Sequence, residues 1–127
     1  MARLTYATIL TRSLERLAAF YREVLQIEPQ WTGPYAEFAA APGILGLWLL
    51  DAYIDIARAT AVPALGSGGI MLEFEVDDVD AEFARLGRLS NFAISFIIPP
   101  TTMAWGNRSI YFRDPDGNLI NLFSRVG

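Results

Sequence analysis

Apolar positions along this chain alternate between two periods, and the changes of period mark its elements. Residues 3–10 carry β-branched and aromatic side chains in a short run that predicts a strand. Ser13 then stands as an N-cap, and Leu14, Leu17, Tyr21 and Val24/Leu25 recur at helical spacing. Pro29 keeps that helix from continuing. Turn signals at Gly33-Pro34 and Pro42-Gly43 separate residues 35–40 from 44–51, both predicted as strands. The first part of the chain is thus a strand, a helix, and two or three strands.

The same order then recurs. Residues 69–76 alternate as a strand, and Asp77 or Asp78 caps a helix carrying Val79, Phe83 and Leu86 on one face. Residues 92–98 predict a strand ended by Pro99-Pro100. Residues 108–113 and 118–124 predict a hairpin around Asp114-Pro115-Asp116-Gly117, with Gly117 supplying the positive φ of a tight turn. Residues 38–47 lie over 112–121 without a gap: in both, an aromatic strand end meets a glycine turn and then an apolar strand. The elements predict one α+β domain of two tandem βαβββ units, about 1–52 and 69–127, joined by a connector over 53–68.

Composition narrows the chemistry. Apolar residues make up 53% of the 127 positions, yet no apolar run approaches the roughly 20 residues needed to span a bilayer. Cysteine is absent, so neither a disulfide nor a thiolate zinc site can form. With no basic segment leading into a long apolar stretch, a cytoplasmic protein is expected. The net charge is -4, lysine is absent and the arginines are scattered, which predicts no nucleic-acid and no membrane partner. Histidine is absent as well, excluding the usual Ser-His triad.

Three stretches then carry a family resemblance. These are Leu14-Glu15-Arg16-Leu17-Ala18-Ala19-Phe20-Tyr21-Arg22-Glu23-Val24-Leu25, Leu72-Glu73-Phe74-Glu75-Val76-Asp77-Asp78-Val79-Asp80, and the hairpin from Trp105 to Phe123. In this order they resemble the first helix, the strand-to-helix junction of the second unit and the closing hairpin of the vicinal oxygen chelate superfamily. That superfamily includes glyoxalases, extradiol dioxygenases and bleomycin-resistance proteins. The resemblance implies two units whose sheets curl into a half-barrel around an open cavity, in a homodimer. The family's metal enzymes take histidine and glutamate ligands from the first and last strands of each unit. Alignment places Tyr6, Leu47, Met71 and Asn121 there. Leucine cannot coordinate, a thioether is a poor ligand for hard divalent ions and a neutral amide is weak. Neither a metal nor another cofactor is expected.

Strand alternation extends these positions into a lining. Met71 brings Glu73, Tyr6 brings Thr8, Leu47 brings Leu45 and Leu49, and Asn121 brings Leu119 and Phe123. The expected ligand-binding residues are Tyr6, Thr8, Trp31, Leu47, Met71, Glu73, Tyr111 and Asn121. This mostly apolar set suits an organic ligand held by shape, with a few polar groups fixing its orientation. Trp31 is expected at the cavity rim, Trp48 under a helix, and Trp105 at the barrel end. Glu73 is the candidate catalytic residue, because a carboxylate on an apolar wall is costly unless paired. It either meets a cationic group, acts as a general base, or pairs with Arg108 or Arg113 across the sheet.

The expected function is small-molecule binding, with antibiotic sequestration as in the bleomycin-resistance branch one form of it. The alternative is a glyoxalase-like lyase or isomerase, or a dioxygenase-type enzyme, acting on a small carbonyl or phenolic substrate. Glu73 would then be the base, and Tyr6 or Asn121 would stabilise an enolate. A third reading is an interaction module whose cavity is filled by its own side chains.

Overall fold

Helix α1 (Leu14–Leu25) buries Leu14, Leu17, Ala18, Phe20, Tyr21 and Val24, the stripe that its sequence spacing predicts. Ser13 occupies the N-cap position but makes no capping bond with its side chain. Its backbone N–H donates instead to Thr11 Oγ1 at 3.0 Å. The helix stops at Gln26, which turns left-handed at φ 57 and returns its N–H to the Arg22 carbonyl at 2.9 Å. The chain has therefore left the helix before Pro29 is reached.

The computed structural model describes residues 1, 5–57 and 70–126. The chain divides into two compact units, Met1–Leu65 and Gly66–Gly127. In the first, strands β1 (Tyr6–Thr11), β2 (Gln30–Thr32), β3 (Tyr35–Ala40) and β4 (Gly43–Leu49) form a sheet in the order β1-β4-β3-β2. Strands β1 and β4 run parallel, and the other neighbours are antiparallel. Helix α1 packs on β3 and β4, with the Tyr21 and Phe38 rings 6.3 Å apart. Phe38 pairs with Leu45 and Ala36 with Leu47, and all four are buried.

Two expectations for this unit need correction. The strand predicted over 44–51 ends at Leu49, and helix α2 (Leu50–Ala57) begins at once. The connector predicted over 53–68 therefore starts as helix, and its remainder lies outside the described residues. Leu50 and Tyr53, one turn apart, account for the early start: Leu50 is buried and the Tyr53 ring packs 5.8 Å from that of Trp48.

The second unit repeats the plan with β5 (Met71–Glu75), α3 (Val79–Leu86), β6 (Phe96–Thr102), β7 (Asn107–Arg113) and β8 (Leu119–Arg125). Its sheet has the order β5-β8-β7-β6, with β5 and β8 parallel. Asp78 caps α3 by accepting the Ala81 N–H at 3.1 Å. Phe83 of α3 packs on Phe96 at 4.6 Å, and Phe96 on Phe112 at 5.7 Å. Arg108 clasps the helix to the sheet, donating to both Asp80 carboxylate oxygens at 2.7 and 2.9 Å and to Thr102 Oγ1 at 3.2 Å.

The prolines do not end β6 as expected: the strand starts at Phe96 and runs through Pro99 and Pro100 to Thr102. It is an edge strand, and its register against β7 shifts between Phe96 and Ile98 and again between Ile98 and Thr101. An edge with bulges has ladder positions that need no N–H donor, which is where a strand tolerates proline.

The β7–β8 turn is organised by one buried carboxylate. Asp114 Oδ1 accepts the backbone N–H groups of Asp116 at 2.9 Å and Asn118 at 2.8 Å, and Oδ2 accepts Asn118 Nδ2 at 2.8 Å. Gly117 supplies the positive φ, at 90. Asp114→Ala leaves those donors without their acceptor and is expected to cost about 1–3 kcal/mol. Urea unfolding should show this as a lower midpoint at unchanged slope.

Candidate functional site

Strand register decides which side chains share the face of each sheet turned away from α1 or α3, here called the far face. In the second unit one row across that face is Glu73, Asn121 and Tyr111, with Ile98 opposite Tyr111. The next row is Glu75, Phe123 and Ser109. Asn121 Nδ2 donates to Glu73 Oε1 at 2.9 Å. Two polar atoms in these rows are buried without a hydrogen-bond partner, Asn121 Oδ1 and Ser109 Oγ.

Glu73 is exposed, and its partner is Asn121 rather than either arginine considered from the sequence. Arg108 is engaged by Asp80 on the opposite face, and Arg113 Nη1 donates to the Gly117 carbonyl at 3.0 Å. Alternation places Met71 on the far face with Glu73, and it is exposed. Tyr111 is half-buried.

In the first unit the corresponding rows are Thr8, Gly46 and Glu37, then Leu10, Trp48 and Tyr35, with Tyr6 beside Ile44. Gly46 matters because a Cβ there would lie 2.7 Å from the Tyr35 hydroxyl and 3.1 Å from Thr8 Oγ1. The phenol of Tyr35 therefore lies across the glycine. The rings of Tyr35 and Trp48 are 4.8 Å apart and tilted by 45°, and Tyr53 of α2 meets Trp48 at 68°. Burial raises the pKa of the Tyr35 phenol, and the nearby Glu37 carboxylate and Tyr6 raise it further.

Leu47 does not belong to this face. It pairs with Ile9 and Ala36, is fully buried, and lies on the α1 side; Leu45 shares that side, and Trp48 takes the far face instead. The gapless comparison of residues 38–47 with 112–121 causes the slip. The paired residues Phe38 and Leu45 stand one position closer in sequence than their counterparts Phe112 and Ile120. A one-residue shift in a strand exchanges its faces. The structural counterpart of Asn121 is therefore Gly46. Trp31 is 49% exposed on edge strand β2, opposite Ala36, so alternation puts it on the α1 side, away from Tyr6 and Thr8. Trp105 is 65% exposed in the turn between β6 and β7, where Gly106 has a φ of 102.

Sequence reading missed Tyr35, Glu37, Tyr53 and Ser109, and it assigned Trp48 to the wrong face. Strict alternation through 35–37 and 46–48 carried the signal, once the shorter turn is allowed for.

With the register settled, the positions that align with the family's metal ligands are Tyr6, Gly46, Met71 and Asn121. They offer a phenol, no side chain, a thioether and an amide whose nitrogen is committed to Glu73. These residues do not fit a histidine–glutamate metal site.

Fold and site together define a tandem βαβββ protein of the vicinal oxygen chelate type. The chain belongs to the glyoxalase/bleomycin resistance protein/dioxygenase superfamily, whose family model matches residues 3–122. It is similar to a solved glyoxalase/bleomycin resistance protein/dioxygenase from Nocardioides, with 25% identity and a TM-score of 0.79 over 99% of this chain and 85% of that one. A protein of unknown function from Agrobacterium tumefaciens str. C58 is similar too, at 26% identity and a TM-score of 0.80, covering 99% and 96% of the two chains. A superfamily enzyme from Burkholderia phytofirmans PsJN shares the fold at 19% identity, with a TM-score of 0.77 and coverage of 98% and 100%. Among curated proteins, none matches this chain. No helix among the described residues is long and apolar enough to cross a membrane.

Two outcomes follow from the faces. Leu47→Ala should cost about 2–5 kcal/mol of stability in chemical denaturation, the loss expected for a truncated core leucine. The Tyr35 phenol should titrate above its ordinary 10.0, and Glu37→Gln should bring it back toward that value, read by ultraviolet absorbance against pH. The folded state holds the proton more tightly than the unfolded chain. Its stability contribution is therefore full below pH 10.0 and is lost as pH rises through the folded-state value.

Proposed function

We propose that this protein binds a small organic molecule on the far faces of its sheets, without the metal used by enzymes of the superfamily. One observation carries the reading: Asn121 Oδ1 and Ser109 Oγ are buried without partners, beside the Glu73 carboxylate. Each unsatisfied buried polar group costs about 1–3 kcal/mol. A ligand that displaces the side chains covering Asn121 Oδ1 and Ser109 Oγ, and brings hydrogen-bond donors to them, recovers that cost, while Glu73 accepts a further donor. Phe123, Tyr111 and Met71 supply apolar surface around this polar patch, the composition common to sites for organic ligands. In this reading Glu73 orients the ligand rather than acting as a base. Antibiotics are one ligand class compatible with it, and the protein works as a cytoplasmic homodimer without a cofactor.

The test combines metal content of the purified protein with a thermal-shift screen of metals and organic compounds, and sedimentation gives the assembly. Expected are a protein without stoichiometric transition metal, and organic ligands that raise its Tm. That rise should be lost in Glu73→Ala and in Asn121→Ala. A stoichiometric transition metal overturns the proposal if chelation lowers Tm and re-addition restores it. That result would favour the lyase, isomerase or dioxygenase alternative.

A further inference from the structure

The first unit carries a second chemistry, one that the patch around Asn121 does not use. Tyr35 and Trp48 lie side by side on the far face of the sheet, and Tyr53 reaches Trp48 from α2. Their ring planes meet at 45° and 68°, so the rings stand as walls rather than as a parallel stack. All three are only half-buried, which leaves ring surface free for a ligand. Glu37 lies two residues along β3 from Tyr35 on the same face, is half-buried, and meets the Tyr35 hydroxyl through its carboxylate. It makes no ion pair among the described residues. No arginine falls in the rows formed by Thr8, Gly46 and Glu37 or by Leu10, Trp48 and Tyr35.

We infer that Tyr35, Trp48 and Tyr53, with Glu37, form a binding site for an organic ammonium group. Aromatic faces carry negative electrostatic potential, and tryptophan gives the strongest attraction to a cation. A half-buried carboxylate whose neighbour is the neutral Tyr35 phenol, with no basic partner among the described residues, keeps an uncompensated charge that desolvation penalises. A soft cation resolves both features at once: it meets the ring faces and neutralises Glu37. A methylated or alkylated ammonium fits better than a metal ion, because its charge is spread over an apolar surface and its dehydration costs little. The inference rests on the small-molecule reading above and specifies the charge of the ligand.

The test titrates the intact protein with choline and with its neutral isostere 3,3-dimethylbutan-1-ol, following tryptophan fluorescence and backbone NMR shifts. Choline should bind saturably, with shifts centred on Tyr35, Trp48 and Tyr53. The isostere should bind at least about five-fold more weakly, the order expected for a partly desolvated cation–π contact. Glu37→Gln, which keeps the shape of the side chain, should weaken choline by a similar factor while leaving the unfolding midpoint near the parent's. Tyr53→Phe, which keeps the ring packed on Trp48, should leave choline affinity near the parent's. Equal binding of choline and its isostere overturns the inference, as does unchanged affinity in Glu37→Gln. If neutral organic compounds raise Tm while choline does not bind, the ammonium site fails and the small-molecule reading survives. If metals alone raise Tm, both fail.

Discussion

In each unit the first strand lies parallel to the last, with Thr8 beside Gly46 and Glu73 beside Asn121. A parallel pair cannot be closed by a tight turn. A helix and the remaining strands must intervene, and the helix then covers one face of the sheet. Its apolar stripe meets Phe38, the strand partner of Leu45, in one unit, and Phe96, which packs on Phe112, in the other. Because strand side chains alternate, burying one set under the helix commits the other set to the far face. The polar and aromatic groups there owe their grouping first to this pairing, and then to contacts such as the Asn121–Glu73 bond and the packing of Trp48 between Tyr35 and Tyr53.

The two units use the same rows for different purposes. At the position shared by Gly46 and Asn121, one unit has no side chain and the other has an amide. Tyr6 and Met71 occupy the equivalent outer position. At these four positions the side chains do not fit the family's histidine–glutamate set, and the two units place different groups on the same rows. The first unit offers rings and a carboxylate, and the second offers hydrogen-bonding oxygens beside a carboxylate.

Much of the fold is legible from residue order. The spacing from Leu14 to Leu25 defines α1, and the hairpin turn is announced by Asp114 and Gly117, because those signals are local and strong. Asp78 likewise announces α3. What escaped depends on context that local pattern does not hold. A proline-bearing strand is readable only once its edge position is known, as β6 illustrates. Helix α2 is too short to show a period beside the glycine- and proline-rich stretch that follows. The face of Leu47 turned on a single residue of turn length, and every side chain near it moved with that choice. Of the candidate site, alignment with the family supplied Tyr6, Met71 and Asn121, alternation added Thr8 and Glu73, and strand register puts all of these, with Tyr111, on the far faces. The grouping of Tyr35, Glu37, Trp48 and Tyr53 draws on three elements, and no sequence window contains it as a motif.

Gly46 constrains what the residues around it can become as well as how they pack. The Tyr35 hydroxyl lies where the first carbon of any side chain at that position would go. A glutamate placed there would meet the phenol before its carboxylate could reach outward. A side chain at that position is therefore seated only together with a displacement of the Tyr35 ring, whose hydroxyl is the far end of its side chain. The backbone at Gly46 and the ring of Tyr35 thus form one coupled unit, in which a change of size at either position is felt at the other.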